Sequence, residues 1–90
     1  MTEHTREATS LVLDLMEDLR PEYGITFRIE KNGFAAAYLN LLTPYGKTTE
    51  KQVTWGTSTA TEKQQFIDAL IQACLEVGAL VHPVEWEGRE

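Results

Sequence analysis

Ile25-Thr26-Phe27-Arg28-Ile29-Glu30-Lys31-Asn32-Gly33-Phe34-Ala35-Ala36-Ala37-Tyr38 is the stretch that decides the fold class of this 90-residue chain. From Ile25 to Lys31 the polarity alternates, as in a strand with one buried face. Asn-Gly then suits the two central positions of a type I′ turn, which both need positive φ, and is the strongest short-range hairpin signal. A two-residue turn at Asn32-Gly33 sets Ile29 opposite Ala36 and Phe27 opposite Tyr38. Phe34, Ala36 and Tyr38 then join Ile25, Phe27 and Ile29 on one face.

Thr43-Pro44-Tyr45-Gly46 is the next turn signal. With all four residues in the loop, Leu42 pairs with Lys47, Ala36 with Val53 and Phe34 with Trp55. Three strands, about 25–31, 34–42 and 47–55, thereby agree on one core face. The opposite face receives Ala35, Ala37, Leu39 and Leu41 between polar edge strands, an apolar stripe that invites self-association.

Helices flank this meander. Ala8, Leu11, Val12, Leu15 and Leu19 recur at helical spacing over about 5–20, with Thr2 or Thr5 as cap and Pro21 as stop. Leu13 falls outside that stripe and Met16 at its margin, which suggests a second contact surface. Thr59 with Glu62 fits a capping box for a helix over about 60–77, buried through Phe66, Leu70, Ala73, Cys74 and Val77. Gly78 suits its left-handed end. Leu80-Val81-His82 reads as a short fourth strand at an edge, ended by Pro83. The expectation is an α+β fold of order α-β-β-β-α-(β): an antiparallel three-stranded meander with two helices on one face. It forms a single domain over 1–90, with frayed ends at 1–4 and 87–90.

The net charge of −6 is uneven. Glu3, Glu7, Asp14, Glu17, Asp18 and Glu22 stand against Arg6 and Arg20 in the first helix and its exit, and Glu85, Glu87 and Glu90 against Arg89 in the tail. The stretch between is balanced. Such a surface repels nucleic acid and anionic lipid and attracts basic partners. No apolar run approaches the roughly 20 residues of a membrane span. The N-terminus lacks a signal-peptide layout, and one cysteine cannot make an internal disulfide, which together suggest a cytoplasmic setting.

Chemistry-bearing constellations are absent from the sequence. Cys74 lies on an apolar helix face near a C-terminus, where burial and the helix dipole both disfavour a thiolate. His4, His82 and Cys74 offer no zinc spacing, and the helix carboxylates lack the converging loop of a calcium site. Neither a phosphate-binding glycine loop nor a nucleophile elbow is present. The order helix–strand–strand–strand–helix resembles that of double-stranded-RNA-binding domains, in order alone. Those domains place basic side chains at the start of the second helix and use a longer first hairpin loop. Here that helix begins Ala60-Thr61-Glu62-Lys63-Gln64, so RNA binding does not follow.

These readings favour a non-enzymatic, acidic protein-binding domain without metal or cofactor. It would act as an adaptor or inhibitor that occludes a basic surface of a partner protein, with no direct nucleic-acid or membrane contact. Glu7, Asp14, Glu17, Asp18 and the loop-tip Tyr45 are the candidate partner contacts. Ala35, Ala37, Leu39 and Leu41 are the candidate homodimer contacts. The alternative is a homo-oligomeric small-molecule-binding or enzymatic domain, with polar groups converging near Arg28, Tyr38 or His82.

Overall fold

A computed structural model of the chain describes residues 3–57 and 59–88. Helix α1 spans Glu3–Glu17, strands β1, β2 and β3 span Tyr23–Ile29, Phe34–Thr43 and Gly46–Gly56, and helices α2 and α3 span Ala60–Val77 and Pro83–Glu87. The sheet is an antiparallel meander of order β1-β2-β3. Helices α1 and α2 pack side by side on one of its faces, α1 towards β1 and α2 over β3. The α+β meander expected from the alternation is therefore the fold. The core joins Ala8, Val12 and Leu15 of α1 to Ile25, Ala35, Ala37 and Leu39 of the sheet and Phe66, Leu70, Ile71 and Cys74 of α2. Fully buried side chains such as Leu15, Leu39, Phe66 and Leu70 each contribute roughly 1.5–3 kcal/mol.

The first hairpin differs from the expected one in a way that reverses strand β2. Glu30 N–H donates to the Phe34 carbonyl (2.8 Å) and Gly33 N–H to the Glu30 carbonyl (2.9 Å), which leaves Lys31, Asn32 and Gly33 as a three-residue loop. Only Gly33 has positive φ, at 84°; Asn32 does not. Asn32 instead turns its Oδ1 back to accept from Phe34 N–H at 3.0 Å. This is the three-residue loop that ends on a left-handed glycine, not a type I′ turn. The cause is tertiary. Thr57 binds the Gly33 carbonyl through both its N–H (2.8 Å) and its Oγ1 (2.9 Å), and Thr57 is itself held by the buried Thr5 hydroxyl at 3.1 Å.

One extra loop residue shifts the pairing by one. Ile29 lies opposite Ala35, Phe27 opposite Ala37 and Ile25 opposite Leu39. A single-residue slip flips a whole strand, so Ala35, Ala37 and Leu39 turn towards the helices and are fully buried. Leu41, opposite Tyr23 on that side, is partly buried. The expected self-association stripe of Ala35, Ala37, Leu39 and Leu41 is thus part of the helix-facing layer, and Phe34, Ala36 and Tyr38 turn outward in its place.

Strand β3 keeps the expected pairing at its start, with Leu42 opposite Lys47, then shifts between Leu39 and Asn40. The residue left over is Glu50, a bulge in β3. Beyond it, Val53 pairs with Ala37 and Trp55 with Ala35. Val53 and Trp55 therefore lie on the helix side as expected, although Trp55 at the sheet edge is 42% exposed.

The ends of α2 follow the sequence signals. Thr59 Oγ1 accepts from Glu62 N–H at 3.1 Å, and Gly78 closes the helix at φ 69°. Thr5 does not cap α1: it lies inside the helix, buried. Thr2 falls outside the described residues. The expected fourth strand is reduced to one bridge between Leu80 and Leu19. Pro83 then starts α3, where its missing N–H costs nothing. Of the ends expected to fray, Glu3 and His4 belong to α1 and Glu87 to α3, while Met1, Thr2, Arg89 and Glu90 lie outside the described residues. No described helix is long and apolar enough to cross a membrane.

Candidate interaction surfaces

The five residues expected to meet a partner are not equivalent. Buried Ala8, Val12 and Leu15 fix which side of α1 faces the core. Glu7 lies on the flank towards α2, where it accepts from Lys63 Nζ at 2.9 Å. That hydrogen bond and the lysine's charge hold its carboxyl below the usual range. Asp14 and Glu17 are exposed and make no ion pair with any described residue. Leu13 (55% exposed) and Met16 (38% exposed) lie beside them on the same outward surface. Tyr45 stands at the tip of the β2–β3 turn, fully exposed; Tyr45 N–H and the Gly46 carbonyl are tied to the Thr43 hydroxyl.

Asp18 serves the fold instead. It sits just past the end of α1, where its carboxylate accepts from His82 N–H (3.0 Å), His82 Nδ1 (2.7 Å) and Trp86 Nε1 (3.0 Å). Burial pushes its carboxyl up, but the bonds from His82 and Trp86 outweigh that and leave it lowered. His82 moves the other way: the bond to Asp18 and the aspartate's charge raise its pKa. Backbone bonds from Arg20 to Ala79 and from Val81 to Asp18 dock the same segment. Residues 80–88 are thus fastened to the exit of α1, and Trp86 is buried there. The pattern His82-Pro83-Val84-Glu85, with proline at the first helical position and an acid in the first turn, is the sequence signal for α3.

The sheet face away from the helices carries the second surface. Alternation places Thr26 and Arg28 of β1, Phe34, Ala36, Tyr38, Asn40 and Leu42 of β2, and Lys47, Thr49, Gln52 and Thr54 of β3 on that side. Phe34 is 43% and Leu42 48% exposed, and Tyr38 is half-buried between them. At one end a polar ladder crosses all three strands. Asn40 Nδ2 donates to Thr26 Oγ1 at 3.0 Å, and Thr49 Oγ1 donates to Asn40 Oδ1 at 3.1 Å. This satisfies an asparagine that is only 3% exposed.

The chemical groups do not converge. Arg28 and Tyr38 lie on the outer sheet face, whereas His82 is held by Asp18 in the helical layer on the other side of the sheet. Cys74 is buried in the core, and burial pushes its thiol up to about 12. Among the described residues no group of three His, Cys, Asp or Glu side chains is arranged to hold a metal ion. In comparisons with known proteins the chain matches no family model, no curated protein and no solved structure.

Proposed function

We propose that this chain is a non-enzymatic protein-binding domain, an adaptor or inhibitor, that sets the outward face of α1 against a basic surface of a partner protein. The observation that carries the reading is the pairing of exposed Leu13 and Met16 with Asp14 and Glu17, acids that are not ion-paired within the described structure. Apolar groups exposed on a helix beside free charge suit an interface: the apolar part supplies desolvation and the charge supplies steering and register. Glu7 contributes less because Lys63 already neutralises it, and Asp18 is excluded because the fold consumes it.

The test is a parallel pull-down with immobilised wild type and an Asp14→Lys, Glu17→Lys double variant. Proteins that wild type retains and the variant loses, and that about 0.3 M salt releases as screening demands, support the reading. Retention of the same proteins on both matrices overturns it.

A further inference from the structure

The meander has two edges, and they are built differently. Strand β3 is blunted: Glu50 bulges from it, and Lys47 and Lys51 stand along it. Bulges and lysines are what keep an edge from pairing. Strand β1 has no lysine, proline or bulge between Tyr23 and Ile29. Its bonds to β2 fall at even positions, marked by Leu42 N–H donating to the Glu22 carbonyl (2.7 Å) and Glu30 N–H to the Phe34 carbonyl (2.8 Å). Ile25, Phe27 and Ile29 therefore direct their N–H and C=O groups to the open edge, and no described residue bonds to them there.

One flank of α1 stands above the same edge. Glu7, through Lys63, marks the side of α1 that meets α2. At about 3.6 residues per turn, Leu13 and Met16 lie on the side away from α2. Because α1 packs towards β1 and α2 over β3, that side overlooks the open edge of β1. The short connection from Glu17 to Tyr23 sets Glu17 and Glu22 at the start of the edge, against Arg20. Arg6 lies nearer its other end, and Arg28 points to the outer sheet face.

We infer that the partner in the α1 reading, on which this inference rests, docks by adding an extended segment to β1 as a fourth strand. The segment runs antiparallel, the more stable pairing. Apolar residues at its alternate positions point under α1 onto Leu13 and Met16. A Lys or Arg at its C-terminal end lies beside Glu17 and Glu22. Strand addition of this kind takes its affinity from main-chain hydrogen bonds and its specificity from alternate side chains.

A second copy of the chain does not suit this edge. Each copy carries a helix above either edge strand, α1 at β1 and α2 at β3. Edge-to-edge pairing would set a helix of each copy over strands about 4.8 Å apart, where packed helices need about 8–10 Å. A segment with no helix above it meets no such clash.

The probe is the end-blocked synthetic peptide Val-Thr-Val-Thr-Val-Lys-Lys, whose valines would lie opposite Ile29, Phe27 and Ile25. Amide hydrogen exchange of the full chain, resolved by nuclear magnetic resonance, is the readout. The peptide at about 1 mM should slow exchange at Ile25, Phe27 and Ile29 about tenfold. The same peptide N-methylated at its valines cannot form the ladder and should slow nothing. No slowing at those three amides, or equal slowing by the methylated peptide, overturns the inference and leaves the α1 reading to its own pull-down test. Slowing that persists unchanged in the Asp14→Lys, Glu17→Lys variant supports the added strand and tells against the α1 reading.

Discussion

The Asp18 carboxylate holds His82 twice, through the backbone N–H at 3.0 Å and the ring Nδ1 at 2.7 Å. The same group reaches Trp86 Nε1 at 3.0 Å. Removing it takes three hydrogen bonds from the docking of α3 at once. Asp18→Ala should therefore cost about 1–3 kcal/mol, and hydrogen exchange should rise in residues 80–88 ahead of the sheet. Protection in that segment equal to wild type would show that Trp86 burial alone fastens it.

The same pair gives stability a pH signature. His82 has a folded pKa above its ordinary value, so its contribution is complete below about 6.5 and is lost as the pH rises through the raised value. Glu85 in α3 adds to that rise. Asp18 has a lowered pKa, so its contribution is complete above about 4 and is lost as the pH falls through the lowered value. The difference in melting temperature between wild type and Asp18→Asn should therefore be largest between those limits and shrink on both sides. A difference that does not vary with pH would remove the pair from the account.

Gly33 is the point where distant structure sets a local turn. Its φ of 84° is costly for any residue with a Cβ, and its buried carbonyl is fixed by Thr57. Gly33→Ala should destabilise the chain by about 1–2 kcal/mol. Thr57→Val should also destabilise it, because the Gly33 carbonyl loses one of its two bonds and Thr5 loses a hydroxyl partner. Urea denaturation midpoints measure both; a midpoint unchanged in Gly33→Ala would mean that the loop relaxes to another turn at no cost.

What was legible in the sequence follows from how far apart the determinants lie. Helix α2 was readable to the residue, because Thr59, Glu62 and Gly78 act within one turn of the backbone they cap. The Leu42–Lys47 pairing was readable from the turn beside it. The loop at Asn32-Gly33 was not, because the residue that favours the longer form, Thr57, is 24 positions away. The Glu50 bulge sits in Gly46-Lys47-Thr48-Thr49-Glu50-Lys51-Gln52, a run with no apolar alternation to betray a slipped register. Asp18 reads as one more acid on a solvated helix, since its partners lie 64 and 68 positions on. Asp14 and Glu17, by contrast, are as exposed as an acidic helix face implies.

One substitution separates the two registers directly. Ala37 lies between Phe27 and Val53 on the helix side and is fully buried. Leucine there has no room, and overpacking should cost about 1–3 kcal/mol. Had Asn32-Gly33 formed a two-residue turn, position 37 would face outward between polar edge strands, and leucine would be tolerated there. Gln52→Leu serves as the matched control, because Gln52 is exposed on the outer face beside Tyr38; it should change stability by no more than about 0.5 kcal/mol. Urea midpoints for the two variants therefore read out the register. A large loss for Ala37→Leu with a small change for Gln52→Leu places the apolar row Phe34, Tyr38 and Leu42 outward. A change for Ala37→Leu as small as that for Gln52→Leu would return those side chains to the core.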